Sequence, residues 1–163
     1  MDLLDKFTQY LSRVLMLLAG CVLGAMIILT CANIFLRIIW MPVKGTFELM
    51  GYCGAVTMAF ALGITQMKKG HVAVDILVLK FPESVQKTLK GINYSICTVF
   101  FAAVSWKIAQ YATTLLKTGE VTETLRIIYY PFTYCVAIGC ATLALVSLTE
   151  LLKTVFVKVE DED

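Results

Sequence analysis

Few residues in this chain are of a type that does chemistry, and most of them stand apart from one another. The only histidine, His71, lies four residues before Asp75, a spacing that places both on one face if the segment is helical. Such a pair predicts either a hydrogen bond that orders a loop or a proton-transfer role. Because one histidine cannot ligate haem from two sides, we expect no haem, metal or other cofactor.

The six cysteines form no recognisable reactive or metal-binding motif, because no two of them are arranged as C-x-x-C. Each lies within an apolar run, where a thiol is typically a small hydrophobic side chain. The sequence therefore predicts no catalytic residues and no enzyme activity. These cysteines are Cys21, Cys31, Cys53, Cys97, Cys135 and Cys140.

A second group of polar residues lies near the ends of two neighbouring apolar runs. Asn33 and Arg37 are four residues apart, and Glu48 follows them across a short turn. A charge close to the membrane interface is less unfavourable than one at the centre, yet it still prefers a partner. Our hypothesis is that Arg37 pairs with Glu48 and holds the first two helices together.

The elements that carry these residues are predicted by hydrophobicity. Of the 163 residues, 59% are hydrophobic and 16% charged, and the mean hydropathy is +0.80. A hydrocarbon layer of ~30 Å requires about 20 helical residues, and four runs are long enough, at about 14–40, 47–67, 91–116 and 127–152. We therefore expect an all-α, membrane-embedded four-helix bundle that forms a single integral membrane domain over residues 1–163.

The distribution of lysine and arginine predicts the orientation of this bundle. Nine of them lie at the two termini and in the second loop, against four on the opposite side. Basic residues near the ends of membrane spans favour the cytoplasm. Both termini should therefore be cytoplasmic. The net charge of +2 suggests no nucleic-acid partner.

The second loop contains the segment HVAVDILVLKF, which follows Gly70 and ends before Pro82. Its apolar residues predict either a short interfacial helix between spans two and three or a plain connecting loop. Proline followed by an acid is typical of a helix start, so we expect the third helix to begin at Pro82 and Glu83.

Small residues recur at four-residue intervals in the second run and predict a helix-packing face, since they allow close approach of backbones in lipid. The first run carries a shorter site of the same kind. The two interpretations are packing within the bundle and contact with another protein. The residues are Gly51, Ala55, Ala59 and Gly63 in the second run and Gly20 and Gly24 in the first.

No acid lies in the middle of any run. Lys107, next to Trp106, lies either at the interface or within the bilayer, and the sequence supports both positions. Ion-coupled carriers use charged groups or broken helices near the membrane midplane to bind their ion and substrate. The sequence therefore predicts that the chain does not transport a solute alone.

Several of these features, taken in order, resemble the small membrane subunit of tripartite ATP-independent periplasmic (TRAP) transporters, the DctQ-like family. They are Asn33 and Arg37 at the end of the first run, Glu48 at the start of the second, and GHVAVDIL with His71 and Asp75. GEVTETL before PFTYCVAIG extends the resemblance over nearly the whole chain. One departure is that LRIIYYP keeps only Pro131, where the family often has an earlier proline as well.

The resemblance implies an accessory subunit in the bacterial inner membrane, surrounded by lipids. Its expected partners are a large multi-span transporter subunit and a periplasmic binding protein. The binding protein delivers an organic acid, often a carboxylate, and the large subunit moves it inward with a sodium gradient. By resemblance, His71 and Asp75 belong to a cytoplasmic elbow between spans two and three, which they can brace.

Two other classes of function are weighed against this one. A self-sufficient homodimeric exporter would exchange protons for cargo through a carboxylate in the membrane, and Glu48 is the nearest candidate. A homodimer contact through Gly51 or Ala55 would support it. A membrane-embedded enzyme is disfavoured by the single histidine and the missing cysteine pair.

Overall fold

The computed structural model describes residues 2–39, 41, 43–68 and 83–160. Within these residues the chain forms four helices, which confirms the predicted all-α class. Each of the four contains a stretch long and apolar enough to cross a membrane. The helices are α1 Asp2–Ile39, α2 Thr46–Met67, α3 Glu83–Thr118 and α4 Tyr130–Glu160.

The ends of the helices follow from the local sequence. Gly45 (φ 77°) directly precedes α2 and Gly119 (φ 65°) directly follows α3, and both adopt the left-handed conformation that glycine reaches without strain. The N–H of Gly119 bonds the carbonyl of Leu115 (3.0 Å), which closes the last turn of α3. Pro131, which tolerates the first turn of a helix, lies one residue after the start of α4.

The fourth helix begins later than the hydrophobic run predicted. Ile127 and Ile128 precede α4, and Ile128 forms an isolated antiparallel bridge with Val121. Hydrophobicity alone does not distinguish a helical turn from an apolar loop that folds back on itself. The hydrophobic run predicted from about residue 127 therefore includes three residues that precede the helix.

Helix α4 is the centre of the bundle. It packs extensively against α3 and α2, while α1 packs mainly against α2 and only slightly against α4. In the most apolar 18-residue window of α4, 44% of the residues are buried, against 0% in α3. The helices therefore follow the spatial order α1, α2, α4, α3, with α1 and α3 on the flanks.

A compact apolar cluster joins the first, second and fourth helices. Leu15 and Ala19 of α1 meet Val56 and Phe60 of α2, and all four are at most 6% exposed. Half-buried apolar side chains of α1 and α4 surround them, namely Leu11, Phe132, Cys135 and Val136. This cluster fixes α1 and α2 beside the central helix.

Two interhelical hydrogen bonds connect α3 with α4. The hydroxyl of Ser105 donates to the carbonyl of Ala137 (2.9 Å), and the hydroxyls of Thr113 and Tyr134 lie 3.0 Å apart. Because an apolar environment provides no competing water, polar groups between membrane helices satisfy one another in this way. These bonds set the register of the flanking helix α3 against the central one.

Threonine hydroxyls inside the helices donate to the carbonyl four residues earlier in the chain. This arrangement satisfies a polar group without any external partner, which suits a segment surrounded by lipid. It occurs at Thr30, Thr57, Thr65, Thr98, Thr113, Thr114, Thr133, Thr142 and Thr149.

The two ends of the bundle differ in which helices are connected there. We call the end where α1 joins α2 and α3 joins α4 the connection end, and the opposite one, where α2 ends and α3 begins, the terminal end. His71, Asp75 and the segment predicted as an interfacial helix or loop lie outside the described residues.

Candidate functional site

The connection end is held together by one carboxylate. The N–H groups of Thr124 and Leu125 donate to the two oxygens of Glu48 (2.8 and 3.2 Å). Glu48 lies in the first turn of α2, whereas its partners lie in the loop between α3 and α4. We call this contact the Glu48 clamp. It ties two parts of the chain more than 70 residues apart in sequence and replaces the water that both groups would otherwise need.

The α3–α4 loop is folded to present those two amides. The N–H of Arg126 bonds the carbonyl of Thr122 (3.1 Å), and the N–H of Thr122 bonds the carbonyl of Ile127 (3.0 Å). The buried hydroxyl of Thr122 accepts a further bond from the N–H of Ile127 (3.1 Å). Arg126 has a φ of 51°, an unusual conformation for a side-chain-bearing residue. Thr124 and Leu125 lie within this tight turn, which directs their N–H groups towards Glu48 of α2.

A second set of contacts fixes the α1–α2 connection beside the clamp. The N–H of Val43 donates to the side-chain oxygen of Asn33 (2.8 Å), and the hydroxyl of Thr46 donates to the carbonyl of Val43 (2.8 Å). The Leu125 side chain lies directly over Gly45, where a β-carbon would overlap it. Asn33 therefore bonds a backbone group of the α1–α2 connection, and its predicted role in assembly stays a prediction.

Aromatic rings form the inner wall of this end. Tyr52 stacks on Tyr129 and Phe132, with ring centroids 5.5 and 5.7 Å apart. The hydroxyl of Tyr129 donates to the carboxylate of Glu120 (2.8 Å). This hydrogen bond is the main cause, and partial desolvation the second, of a pKa of Tyr129 well above its usual value. Removing the proton would place a tyrosinate next to the Glu120 carboxylate.

The space enclosed between the clamp and the rings is too small for a substrate. Its volume is about 10 Å³, and it is lined by Glu48, Tyr52, Leu125 and Tyr129 among others. A cavity of that size is close to the minimum for one water molecule, far below that of sites for small organic ligands. The arrangement can therefore stabilise the connection end, and it offers no site for an organic acid.

The predicted ion pair between Arg37 and Glu48 does not form among the described residues. The Glu48 carboxylate is bound by loop amides, and Arg37 is exposed near the end of α1. The hypothesis paired Glu48 with Arg37, whereas the structure places the carboxylate against the loop between α3 and α4. Backbone amides 76 and 77 residues away satisfy the carboxylate, which proximity along the chain could not reveal.

The small residues of α2 do not share one environment. Ala59 and Gly63 are buried, with Gly63 close to Thr142 and Ser12, whereas Gly51 and Ala55 are exposed. A four-residue step turns a helix by roughly 40°, so three steps rotate the face by roughly 120°. Half of the predicted face therefore serves packing inside the bundle, and the other half lies on its surface.

The glycines of α1 are also accessible. A β-carbon built on Gly20 or Gly24 would have no neighbour within 4 Å. Neither residue lies in a close interhelical contact of this chain, so their use in packing against another molecule stays a prediction. Lys107 and Trp106 are both exposed on α3, which continues unbroken past them to Thr118.

Sequence reasoning missed the residues that complete the site. Ser105, Thr113 and Tyr134 bridge α3 and α4, while Thr122 shapes the loop that binds Glu48. A polar residue within a hydrophobic run is a signal for such contacts, but the signal names no partner. The close approach of Gly139 to Ala59 was likewise missed, although a lone glycine in a helix often marks a packing contact.

Comparison with known proteins agrees with this architecture. Residues 26–156 match the family described as DctQ, the DctQ component of tripartite ATP-independent periplasmic transporters. No curated protein matches the chain. Members of the matched family are inner-membrane proteins that work with a large membrane subunit and a periplasmic binding protein. Since the match covers most of the chain, including the Glu48 clamp, all of α2 and α3, most of α4 and the last part of α1, the protein belongs to the DctQ family of small TRAP transporter subunits.

Proposed function

We propose that this chain is the scaffold subunit that supports the large membrane subunit of a sodium-coupled organic-acid transporter. The observation that carries the proposal is the open arrangement of the helices. Among the residues that the structure describes, α3 packs extensively against α4 and no other helix, and its most apolar stretch contains no buried residue. Uncovered flanks are suited to bind a neighbour, and the space of about 10 Å³ at the connection end is too small to hold a solute.

The substrate and the driving ion belong to the proposal as well. In the transport systems that contain members of this family, we expect a binding protein to deliver an organic acid and the large subunit to move it with sodium. The basic residues at the termini favour a cytoplasmic terminal end. The connection end, with the Glu48 clamp, would then face the periplasm and the binding protein.

The candidate residues have assembly roles in this proposal. The Glu48 clamp and the contact between Asn33 and Val43 hold the periplasmic connections in one shape. A fixed surface is what a rigid support for a moving transport domain requires. We also expect His71 and Asp75 to brace the cytoplasmic elbow between α2 and α3, and loss of His71 to reduce assembly more than sodium dependence.

The geometry of Glu48 weighs against the alternative of a self-sufficient proton-coupled exporter. An exchanging carboxylate must alternate between proton and cargo. Glu48 lies in the first turn of α2, and each of its carboxylate oxygens accepts a hydrogen bond from a backbone amide, which favours the charged form.

The direct test is extraction of the tagged full-length chain from its native membranes in mild detergent, followed by mass spectrometry of the bound proteins. We expect a large multi-span protein at near-equal amount. Recovery of the chain alone, or of a homodimer, would contradict the scaffold proposal.

Transport is tested separately with the assembled complex in liposomes. Uptake of a labelled organic acid should require the binding protein, an inward sodium gradient and this chain together. Full uptake by the large subunit without this chain would contradict an essential supporting role, and sodium-independent uptake would contradict the proposed coupling.

A further inference from the structure

A groove runs between α1 and the end of α2, on the opposite side of the bundle from the connections. Its volume is about 750 Å³, and it is open to the surroundings of the chain. This groove is far larger than the small space at the connection end. The roles proposed above assign it no ligand.

The groove changes from polar to apolar along its length. Gln9 and Arg13 line it on α1 at the terminal end, and Met16, Leu17 and Gly20 follow on the same face deeper along the helix. These residues are spaced by three, four and seven positions, which places them on one side of α1. From Arg13 to Gly20 the helix rises ~10 Å, so a charged mouth leads to an apolar floor.

The α2 side of the groove also changes from charged to apolar, but here the charged residue follows the apolar one in the sequence. Lys68, directly after the helix, lies at the mouth, and Ile64, which precedes it by a single helical turn, lines the deeper region of the groove. Two cations, Arg13 on α1 and Lys68 directly after α2, therefore line the same groove. Both are exposed, and neither forms an ion pair among the residues that the structure describes.

Gly20 keeps the deeper region of the groove free. A β-carbon at this position would meet no atom within 4 Å, so the missing side chain leaves space that the bundle itself does not fill. The neighbouring Met16 and Leu17 are 47% and 67% exposed. These apolar surfaces provide dispersion contacts for a flexible hydrocarbon chain.

We propose that this groove binds one anionic phospholipid. Its phosphate would lie between Arg13 and Lys68, and one acyl chain would follow Met16, Leu17, Gly20 and Ile64. The order of charged mouth and apolar floor matches the order of headgroup and tail. Guanidinium and ammonium groups both bind phosphate, and basic pockets between membrane helices on the cytoplasmic side bind anionic headgroups.

The proposal requires only that the chain spans a membrane, and it does not depend on the transporter role proposed above. A phospholipid is favoured over a soluble phosphate because the apolar floor would remain empty around a free headgroup. It is favoured over a partner helix because the two cations are concentrated at one end of the groove, where lipid phosphates lie.

The test is native mass spectrometry of the full-length protein, titrated with phosphatidylglycerol or phosphatidylcholine in mixed micelles. We expect preferential binding of phosphatidylglycerol. The double variant Arg13→Gln with Lys68→Gln should weaken it roughly tenfold or more, because each cation near an anionic lipid contributes substantially to binding. Arg13→Lys, which keeps the charge, should retain most of the affinity.

A second variant tests the tail site without changing any charge. Gly20→Leu fills the floor of the groove and should reduce lipid binding, while Gly91→Leu, at an open position on α3, should leave it within twofold of the parent. Lys107→Gln with Lys117→Gln is the matched control for the loss of two exposed cations. Helical content and thermal unfolding verify that each variant is folded.

Three results would overturn the proposal. Equal phosphatidylglycerol affinity in all folded variants would mean that the groove is not the binding site. Complete competition by glycerol phosphate, which has no acyl chains, would assign the mouth to a soluble phosphate. Loss of a bound protein from the Gly20→Leu variant with unchanged lipid binding would identify the groove as a protein interface.

Discussion

A methyl group on Gly139 would lie 2.6 Å from the carbonyl carbon and oxygen of Ala59, so α4 and α2 pack backbone against backbone at this point. Both residues are buried. Close contact of this kind replaces the hydrophobic incentive that helices lack when they are surrounded by lipid.

We therefore expect Gly139→Ala to separate α2 from α4 and to lower the free energy of unfolding by roughly 1–3 kcal/mol, the usual range for overpacking. Denaturant titration of the detergent-solubilised protein measures the change. Gly91→Ala introduces the same methyl group at an open position and should not destabilise the protein. Equal stability of the two variants would show that the backbone contact is dispensable.

The Glu48 clamp yields a prediction about local motion. Glu48→Ala removes the acceptor for the amides of Thr124 and Leu125, so their hydrogen exchange should accelerate, on the order of tenfold, as two charge-assisted bonds are lost. Glu123→Gln, an exposed change in the same loop, serves as the control. Unchanged exchange in Glu48→Ala would mean that the loop holds its shape by its internal bonds alone.

Two serines that look alike in sequence should respond differently to the same substitution. Ser105→Ala deletes the bond to the Ala137 carbonyl and should destabilise the α3–α4 pair by about 0.5–2 kcal/mol. Ser12 is buried, and its hydroxyl has no hydrogen-bond partner in the described residues of the chain. Removing an unsatisfied buried hydroxyl is neutral or favourable.

Unfolding in denaturant distinguishes these serines when each variant is compared with the parent protein. Ser105→Ala should shift the transition to lower denaturant, and Ser12→Ala should leave it unchanged or raise it. A larger destabilisation from Ser12→Ala than from Ser105→Ala would contradict the assigned hydrogen bonds.

The hydrogen bond from Tyr129 to Glu120 predicts a dependence on alkaline pH. Because the bond raises the pKa of Tyr129 in the folded protein, its contribution to stability is complete below the ordinary tyrosine pKa of about 10. It is lost as the pH rises through the higher folded pKa. Tyrosinate absorbance in the near ultraviolet, compared between the parent and Tyr129→Phe, follows this one titration.

Glu120→Gln is the matched change for that experiment. An amide still accepts the hydrogen bond but carries no charge, so the tyrosine pKa should fall towards its ordinary value. The loop should then begin to open at lower alkaline pH than in the parent. An identical titration in Glu120→Gln would show that the carboxylate does not control Tyr129.

Most of the fold could be predicted from the sequence because each membrane-spanning helix needs an apolar run at least as long as the hydrocarbon layer is thick. The four helices and the start of α3 at Glu83 followed from hydrophobic runs and helix-start signals. The loop position of Ile127 and Ile128 could not be predicted from hydrophobicity, since an apolar pair packs equally well in a helix or in a folded-back loop.

The partners within the site were much harder to predict than the elements. Glu48 was expected to join two elements, but its acceptor role towards Thr124 and Leu125 depends on the fold of a distant loop. The division of the small-residue face between Gly51 and Gly63 depends on which neighbour each side of α2 meets. Such choices are determined by three-dimensional packing, whereas sequence spacing restricts them only to one helix face.

The central position of α4 also affects how the protein is made. The helix that both α2 and α3 pack against leaves the ribosome after them, because it starts at Tyr130. Helices α2 and α3 therefore enter the membrane before the neighbour that they share exists, and until then α3 has no other extensive contact within the described chain. Assembly of the bundle is a late event in biosynthesis, and a chain interrupted before α4 has three inserted helices without the one that unites them.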